Sequence, residues 1–228
     1  MKLLSILILA SSLFAEDAII RRNSKKKPPP PPYCSSGPHV VPLTDVNKWT
    51  LSGAWYSGPS RPTLLTGGGI KWSIPTWPSY LGYIMANDCG FYPAGFMTAT
   101  FTVVTTGTPV FRYDSEPGNT CVTPATIRMY FEKLGTNQYD RWWSNPQSHT
   151  FVPGTNTITF TVPLDATNWS SLYGNRPNFD SASAAGFILA QQQTSNIGFT
   201  MGGGCFFGHG VAVQGGTAEV RLTNFSTF

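Results

Sequence analysis

Residues 96–104 read FMTATFTVV, with Met97, Ala99, Phe101 and Val103 at one set of alternate positions and Thr98, Thr100 and Thr102 at the other. A two-residue period sends successive side chains to opposite faces of an extended chain, so this stretch predicts a strand with an apolar inner face and a threonine-rich outer one. The pattern recurs along the chain. Ile127, Met129 and Phe131 alternate with Arg128, Tyr130 and Glu132, and Ile158, Phe160 and Val162 alternate with Thr157, Thr159 and Thr161. Ile197, Phe199 and Met201 form another such set, followed by Val211 and Val213, and by Ala218, Val220 and Leu222. With Gly, Pro and Asn between the runs, the spacing predicts an all-β fold, an antiparallel β-sandwich. One stretch departs from it: DSASAAGFILAQQQ opens on a capping aspartate and continues with helix formers, which predicts a short helix over 181–193 despite Gly186. Long loops are expected over 57–95 and 135–150, where binding residues tend to gather on a rigid sandwich.

Working outward from the strands, the folded domain is expected over 45–228, a size that one core can serve. Before it, residues 1–15 have the form of a signal peptide, with Lys2, the apolar run Leu3–Leu9 and Leu13-Phe14-Ala15 at the cleavage site. That run is too short to span a bilayer, so any membrane attachment would come from the segment remaining uncleaved. Residues 16–44 then read as a disordered tether, because Arg21, Arg22, Lys25, Lys26 and Lys27 precede the run Pro28–Pro32 and leave nothing to bury. The expected location is outside the cell, at its surface or in the periplasm.

The net charge of +4 belongs to this leader. From Cys34 onward nine Lys and Arg balance nine Asp and Glu, so the domain lacks the basic face that phosphate neutralisation requires and nucleic acid is not an expected partner. Cys34, Cys89, Cys121 and Cys205 in an exported chain are expected to form disulfides, with Cys89–Cys121 preferred among three possible pairings. None lies in a metal-ligand spacing, and no cofactor motif is present. Gly198–Gly210 is rich in glycine but precedes no helix and ends without Lys-Ser/Thr, so it reads as a strand crossing rather than a phosphate loop.

The aromatic content is 14%, and much of it falls between the clearest strands. Sugar rings stack their C–H patches on indole and phenol faces while planar polar groups meet their hydroxyls. Trp142, Trp143, Trp169, Trp72 and Trp77 are the expected stacking residues, and Arg128, Asp140, Arg141 and Asn145 the expected hydrogen-bonding ones. Arg128 would share an exposed sheet face with Tyr130 and Glu132. No catalytic residue is singled out: a glycosidase needs two carboxylates across one bond, and Glu132 with Asp140 is one pair among several.

At Trp142-Trp143-Ser144-Asn145-Pro146, Asn168-Trp169-Ser170-Ser171 and IGFTMGGGCFFGHGVAV (197–213) the chain resembles uncharacterised exported bacterial domains of the galactose-binding-like, carbohydrate-binding-module jelly-roll type. The resemblance covers most of residues 45–225 and implies a sandwich with one sugar-binding face or loop end. The expected function is therefore noncatalytic recognition of a saccharide or surface glycan. A structural or adhesive protein contacting an envelope partner is the alternative, and a glycoside hydrolase or polysaccharide lyase the third.

Overall fold

The FMTATFTVV stretch forms the first half of the longest strand among the described residues, Phe96–Tyr113 (β6). The computed structural model describes residues 39–88, 95–113, 124–203 and 207–228, all within one compact unit. The expected signal peptide, nearly all of the expected tether and the four cysteines lie outside the described residues.

In chain order the strands are β1 (His39–Val40), β2 (Trp49–Ser52), β3 (Thr63–Leu64), β4 (Ile70–Ile74), β5 (Tyr83–Ala86), β6, β7 (Thr126–Lys133), β8 (Arg141–Trp143), β9 (His149–Thr150), β10 (Thr155–Pro163) and β11 (Ser170–Ser171). The helix α1 (Ser181–Gln192), β12 (Thr194–Gly202) and β13 (Val211–Thr227) complete the fold. Six strands make one sheet, β10-β6-β13-β4-β3 with β1 on β13, and seven make the other, β11-β8-β7-β12-β5-β2 with β9 on β7. Every pairing between these strands is antiparallel. Successive strands β4 to β7 alternate between the sheets, as do β12 and β13, which gives the sandwich its jelly-roll-like winding.

The alternation read from sequence is the alternation of the core. Met97, Ala99, Phe101 and Val103 are buried against Ile127, Met129, Phe131, Phe199 and Val220 of the same hydrophobic cluster. On the outer side the threonines pair across β6 and β10, with Oγ1–Oγ1 distances of 2.7 Å for Thr98–Thr161, 3.1 Å for Thr100–Thr159 and 2.8 Å for Thr102–Thr157. Such cross-strand pairs are what a β-branched hydroxyl contributes to a sheet face.

Four expectations are modified. The two runs 211–213 and 218–222 are one strand, because the register shift between Gln214 and Gly216 is a bulge that Gly215, at φ 81°, accommodates. The segments expected as long loops contain β3, β4 and β5, and β8 and β9, strands of five residues or fewer whose periodicity is too brief to read. The folded unit begins before residue 45, since β1 pairs with the end of β13 and Val41 is fully buried. The helix ends at Gln192, and Asp180 caps it by accepting from the Ser183 amide at 2.6 Å. Gly186 is there for space: a Cβ at that position would collide with Cβ of Tyr139, in the 3-10 turn Gln138–Asp140 that packs against α1.

Candidate functional site

Strand β7 is buried along most of its length, yet only its odd-numbered residues Ile127, Met129 and Phe131 enter the core cluster. Arg128, Tyr130 and Glu132 therefore stand on the outer face of the seven-stranded sheet. Across β12 they meet Thr200, Gly198 and Asn196 in register, and Tyr130 and Glu132 meet Trp143 and Arg141 of β8 on the other side. Beyond β12, Gly198 is opposite Met85 and Thr200 opposite Tyr83 on β5, and Tyr83 is opposite Ser52 on β2.

Gly198 leaves a gap in this row. A Cβ there would strike the carbonyl oxygen of Ile84, so even alanine does not fit, and no side chain separates Tyr130 from Met85. The result is a depression of about 250 Å³ lined by Ser52, Tyr83, Met85, Tyr130, Glu132 and Arg141. Tyr83 and Tyr130 meet edge to face at 5.5 Å, Tyr130 and Trp143 are tilted at 5.1 Å, and Trp143 lies 6.5 Å from Phe207. Aromatic rings thus cross the face from β5 to the turn that precedes β13.

Glu132 organises the polar side of the depression. Its Oε2 accepts from the Tyr130 hydroxyl at 2.5 Å, its Oε1 accepts from Asn196 Nδ2 at 2.8 Å, and Arg141 Nε lies 3.4 Å from Oε2. Burial pushes the Tyr130 phenol well above its ordinary range, and the charge and hydrogen bond of Glu132 push it further. Burial likewise raises Tyr83, partly offset by Arg141. Arg128, at the far end of the face, is 5% exposed, with its Cζ 4.8 Å from the centre of the Phe207 ring. Burial lowers its pKa to about 10, which still leaves a cation at neutral pH.

Of the residues expected to bind ligand, Arg128, Trp143, Arg141 and Asn145 come together here. Asn145 joins from the edge, where its Nδ2 donates to Ser170 Oγ and Ser170 pairs in register with Trp143. Arg141 is exposed on the surface, whereas Trp143 is buried, outside the core cluster and beneath its neighbours on the face.

The other expected stacking residues are placed differently. Trp142 is fully buried, with Nε1 donating to the Tyr139 carbonyl at 2.9 Å and its ring stacked on Tyr139 and edge-on to Phe187. Trp169 is fully buried between Phe131 and Phe187 and donates to the Pro163 carbonyl at 2.8 Å. Trp72 points inward from β4 and is buried. Trp142 and Trp169 fill the core and offer no face to a ligand, and Trp72 reaches the surface only at the floor of a depression beside Tyr56, Arg61 and Lys71. Trp77 keeps 48% of its surface exposed, on the loop with the cis Trp77–Pro78 bond. Asp140 is buried, accepts from the Asn137 amide at 2.8 Å and pairs with Lys133, so its carboxylate closes the 3-10 turn. Glu132 and Asp140, paired as possible acids in the sequence, are thus engaged with separate partners.

Tyr83, Met85, Ser52, Asn196, Thr200 and Phe207 belong to the face without having been expected as ligand residues. Tyr83 belongs to the aromatic content that falls between the clearest strands, and Asn196 and Thr200 occupy the alternate positions of the Ile197–Met201 strand. Phe207 carried no signal beyond its glycine-rich surroundings.

No family model matches the chain, and no curated protein matches it. Two solved structures are similar to it. One is the family 11 carbohydrate-binding module from Clostridium thermocellum in complex with a β-1,3-1,4-mixed-linked tetrasaccharide, at 15% identity and TM-score 0.45, covering 86% of this chain and 97% of that one. The other is the family 11 module of the cellulosomal cellulase Lic26A-Cel5E of Clostridium thermocellum, at 14% identity and TM-score 0.44, covering 86% and 96%. Both are carbohydrate-binding modules, the class that the sequence resembles, and the sandwich assigned to this chain rests on its own strand registers.

Proposed function

We propose that this chain is an exported, noncatalytic saccharide-recognition domain whose ligand lies across the outer face of the seven-stranded sheet. The observation that carries this reading is the depression between Tyr83 and Tyr130, walled by Glu132 and Arg141. It combines what a sugar ring requires: the half-buried Tyr83 phenol against its C–H patches, with the buried Tyr130 ring behind it, and a carboxylate and a guanidinium already held at fixed positions for its hydroxyls. Preorganisation of that pair lowers the ordering cost of binding.

A glycan array followed by calorimetry tests it. Tyr83→Ala and Arg141→Ala are expected to weaken saccharide binding by about tenfold each, the loss of one good contact. Trp142→Ala, if it folds, is expected to act through stability alone. Failure of every saccharide to bind, or binding insensitive to both substitutions, would overturn the reading.

A second reading, contact with an envelope protein, draws on a different region. Trp55 and Trp77 are 66% and 48% exposed on loops joined by Ser57 and Ser79, whose hydroxyls lie 3.2 Å apart. Large exposed aromatics on adjoining loops commonly mark interaction surfaces. Trp55→Ser/Trp77→Ser would abolish a protein contact there and leave saccharide binding intact.

A further inference from the structure

Arg128 Nε and Nη1, Thr200 Oγ1 and Trp143 Nε1 are buried and have no hydrogen-bond partner. Buried polar groups are nearly always paired, so unpaired ones gathered in a single neighbourhood call for a reason. They are close together. Thr200 stands directly opposite Arg128 across β7 and β12, Trp143 stands opposite Tyr130 one step along the same face, and Phe207 contacts both the guanidinium and the indole.

On these three residues the chemistry is one-sided; Asn145 Oδ1, an acceptor that is also buried without a partner, lies at the Ser170 edge of the face. A guanidinium and an indole N–H only donate, and a hydroxyl donates readily, so the group that satisfies them together is an acceptor. The guanidinium adds a net positive charge. Glu132, the carboxylate on the same side of β7, is four residues further along, roughly 13 Å at the rise of a strand, and is already held by Tyr130, Asn196 and Arg141. The Phe207 ring now covers Arg128 and compensates it only in part, because a cation over a ring is held more weakly than one hydrogen-bonded to an anion.

We propose that Arg128, Thr200 and Trp143 form an anion subsite at one end of the saccharide face, which takes the carboxylate or sulfate group of an acidic saccharide when the Phe207 ring rotates aside. This rests on the reading of that face as a saccharide site and names its ligand class. Rotation of the half-buried Phe207 side chain about its own χ1 would uncover the guanidinium that it lies over without moving the sheet. The anion then replaces a ring contact with charge-assisted hydrogen bonds.

The test uses the whole protein and three probes of equal length: an oligogalacturonate, its carboxyl-reduced neutral counterpart, and a sulfate-bearing form of that neutral oligosaccharide. The wild type is expected to bind at least one acidic probe about tenfold more tightly than the neutral one, in keeping with a charge-assisted hydrogen bond. The acidic probe that is preferred names the group. Arg128→Met is expected to erase the preference, Arg128→Lys to retain part of it, and Phe207→Ala to increase it. Equal affinity for all three probes, still lost on Tyr83→Ala, would overturn the anion subsite and leave the saccharide reading standing. Failure to bind any probe would overturn the subsite, and the glycan array decides the saccharide reading separately. Preference unchanged in Arg128→Met, with the fold confirmed by circular dichroism, would also overturn the subsite.

Discussion

The Tyr130 hydroxyl donates to Glu132 Oε2 at 2.5 Å, between two residues that share one face of one strand. The bond fixes the carboxylate that also receives Asn196 and Arg141, so the polar wall of the depression depends on a buried phenol remaining protonated. Tyr130 has its folded-state pKa raised above the ordinary value near 10. Its contribution is fully present below that value and is lost as pH rises beyond it, because the unfolded phenol ionises first. Stability is expected to fall above about pH 10, with Tyr130 supplying a slope of about 1.4 kcal/mol per pH unit. Tyr130→Phe should remove that component and cost about 1 kcal/mol at neutral pH through the lost hydrogen bond. Urea melts of both proteins between pH 8 and 11 check this, and parallel curves for the two would refute it.

Trp142 and Trp169 should behave as core residues. Each has no exposed surface and packs edge-on or tilted against Phe187. Replacement of either by alanine is expected to cost about 3–5 kcal/mol, from lost burial and the cavity left behind. Thermal unfolding measures it. A loss under 1 kcal/mol would mean that the ring is not packed as described.

Adjacent tryptophans show where the sequence was legible and where it was not. Alternation along Arg141–Trp143 requires that Trp142 and Trp143 point to opposite sides, which is readable from the order of residues alone. Which one enters the core is set by the pairing of Trp143 with Tyr130, a register that belongs to the assembled sheet. Arg128, Tyr130 and Glu132 were legible as an outer face because β7 is long enough to show its period, but the expected exposure does not hold: Arg128 and Tyr130 are buried under neighbouring rings of that face. Tyr83 and Asn196 join that face only because the strand order is β7-β12-β5, which no local pattern specifies. The short strands β3, β5, β8 and β9 were lost in expected loops for the same reason: pairing, not local periodicity, defines them.

Gly186 gives a prediction whose sign runs against helix propensity. Glycine in the middle of an exposed helix normally costs about 1 kcal/mol relative to alanine, so Gly186→Ala would ordinarily stabilise α1. Here the added Cβ would collide with Cβ of Tyr139, an atom close to the backbone that cannot move aside alone. Net destabilisation of about 1–3 kcal/mol is expected, as for other overpacked sites. A chemical-denaturation midpoint shifted upward instead would show that α1 does not pack tightly on the 3-10 turn.

Arg128→Met is the substitution for which binding and stability should move in opposite directions. The wild-type guanidinium is almost fully buried with two nitrogens unpartnered, and burial has already lowered its pKa to about 10. A charge left in that state lowers the stability of the fold, and a thioether side chain of similar length removes the penalty while keeping most of the packing. The variant is expected to be more stable than the wild type by about 1–3 kcal/mol at pH 7. The gain should shrink above pH 10, where the folded wild type can shed the proton while the unfolded chain keeps it. Calorimetric melts at pH 7 and at pH 10.5 measure both effects. A variant less stable than the wild type at pH 7 would mean that Arg128 is satisfied within the fold, and that its burial needs no ligand to account for it.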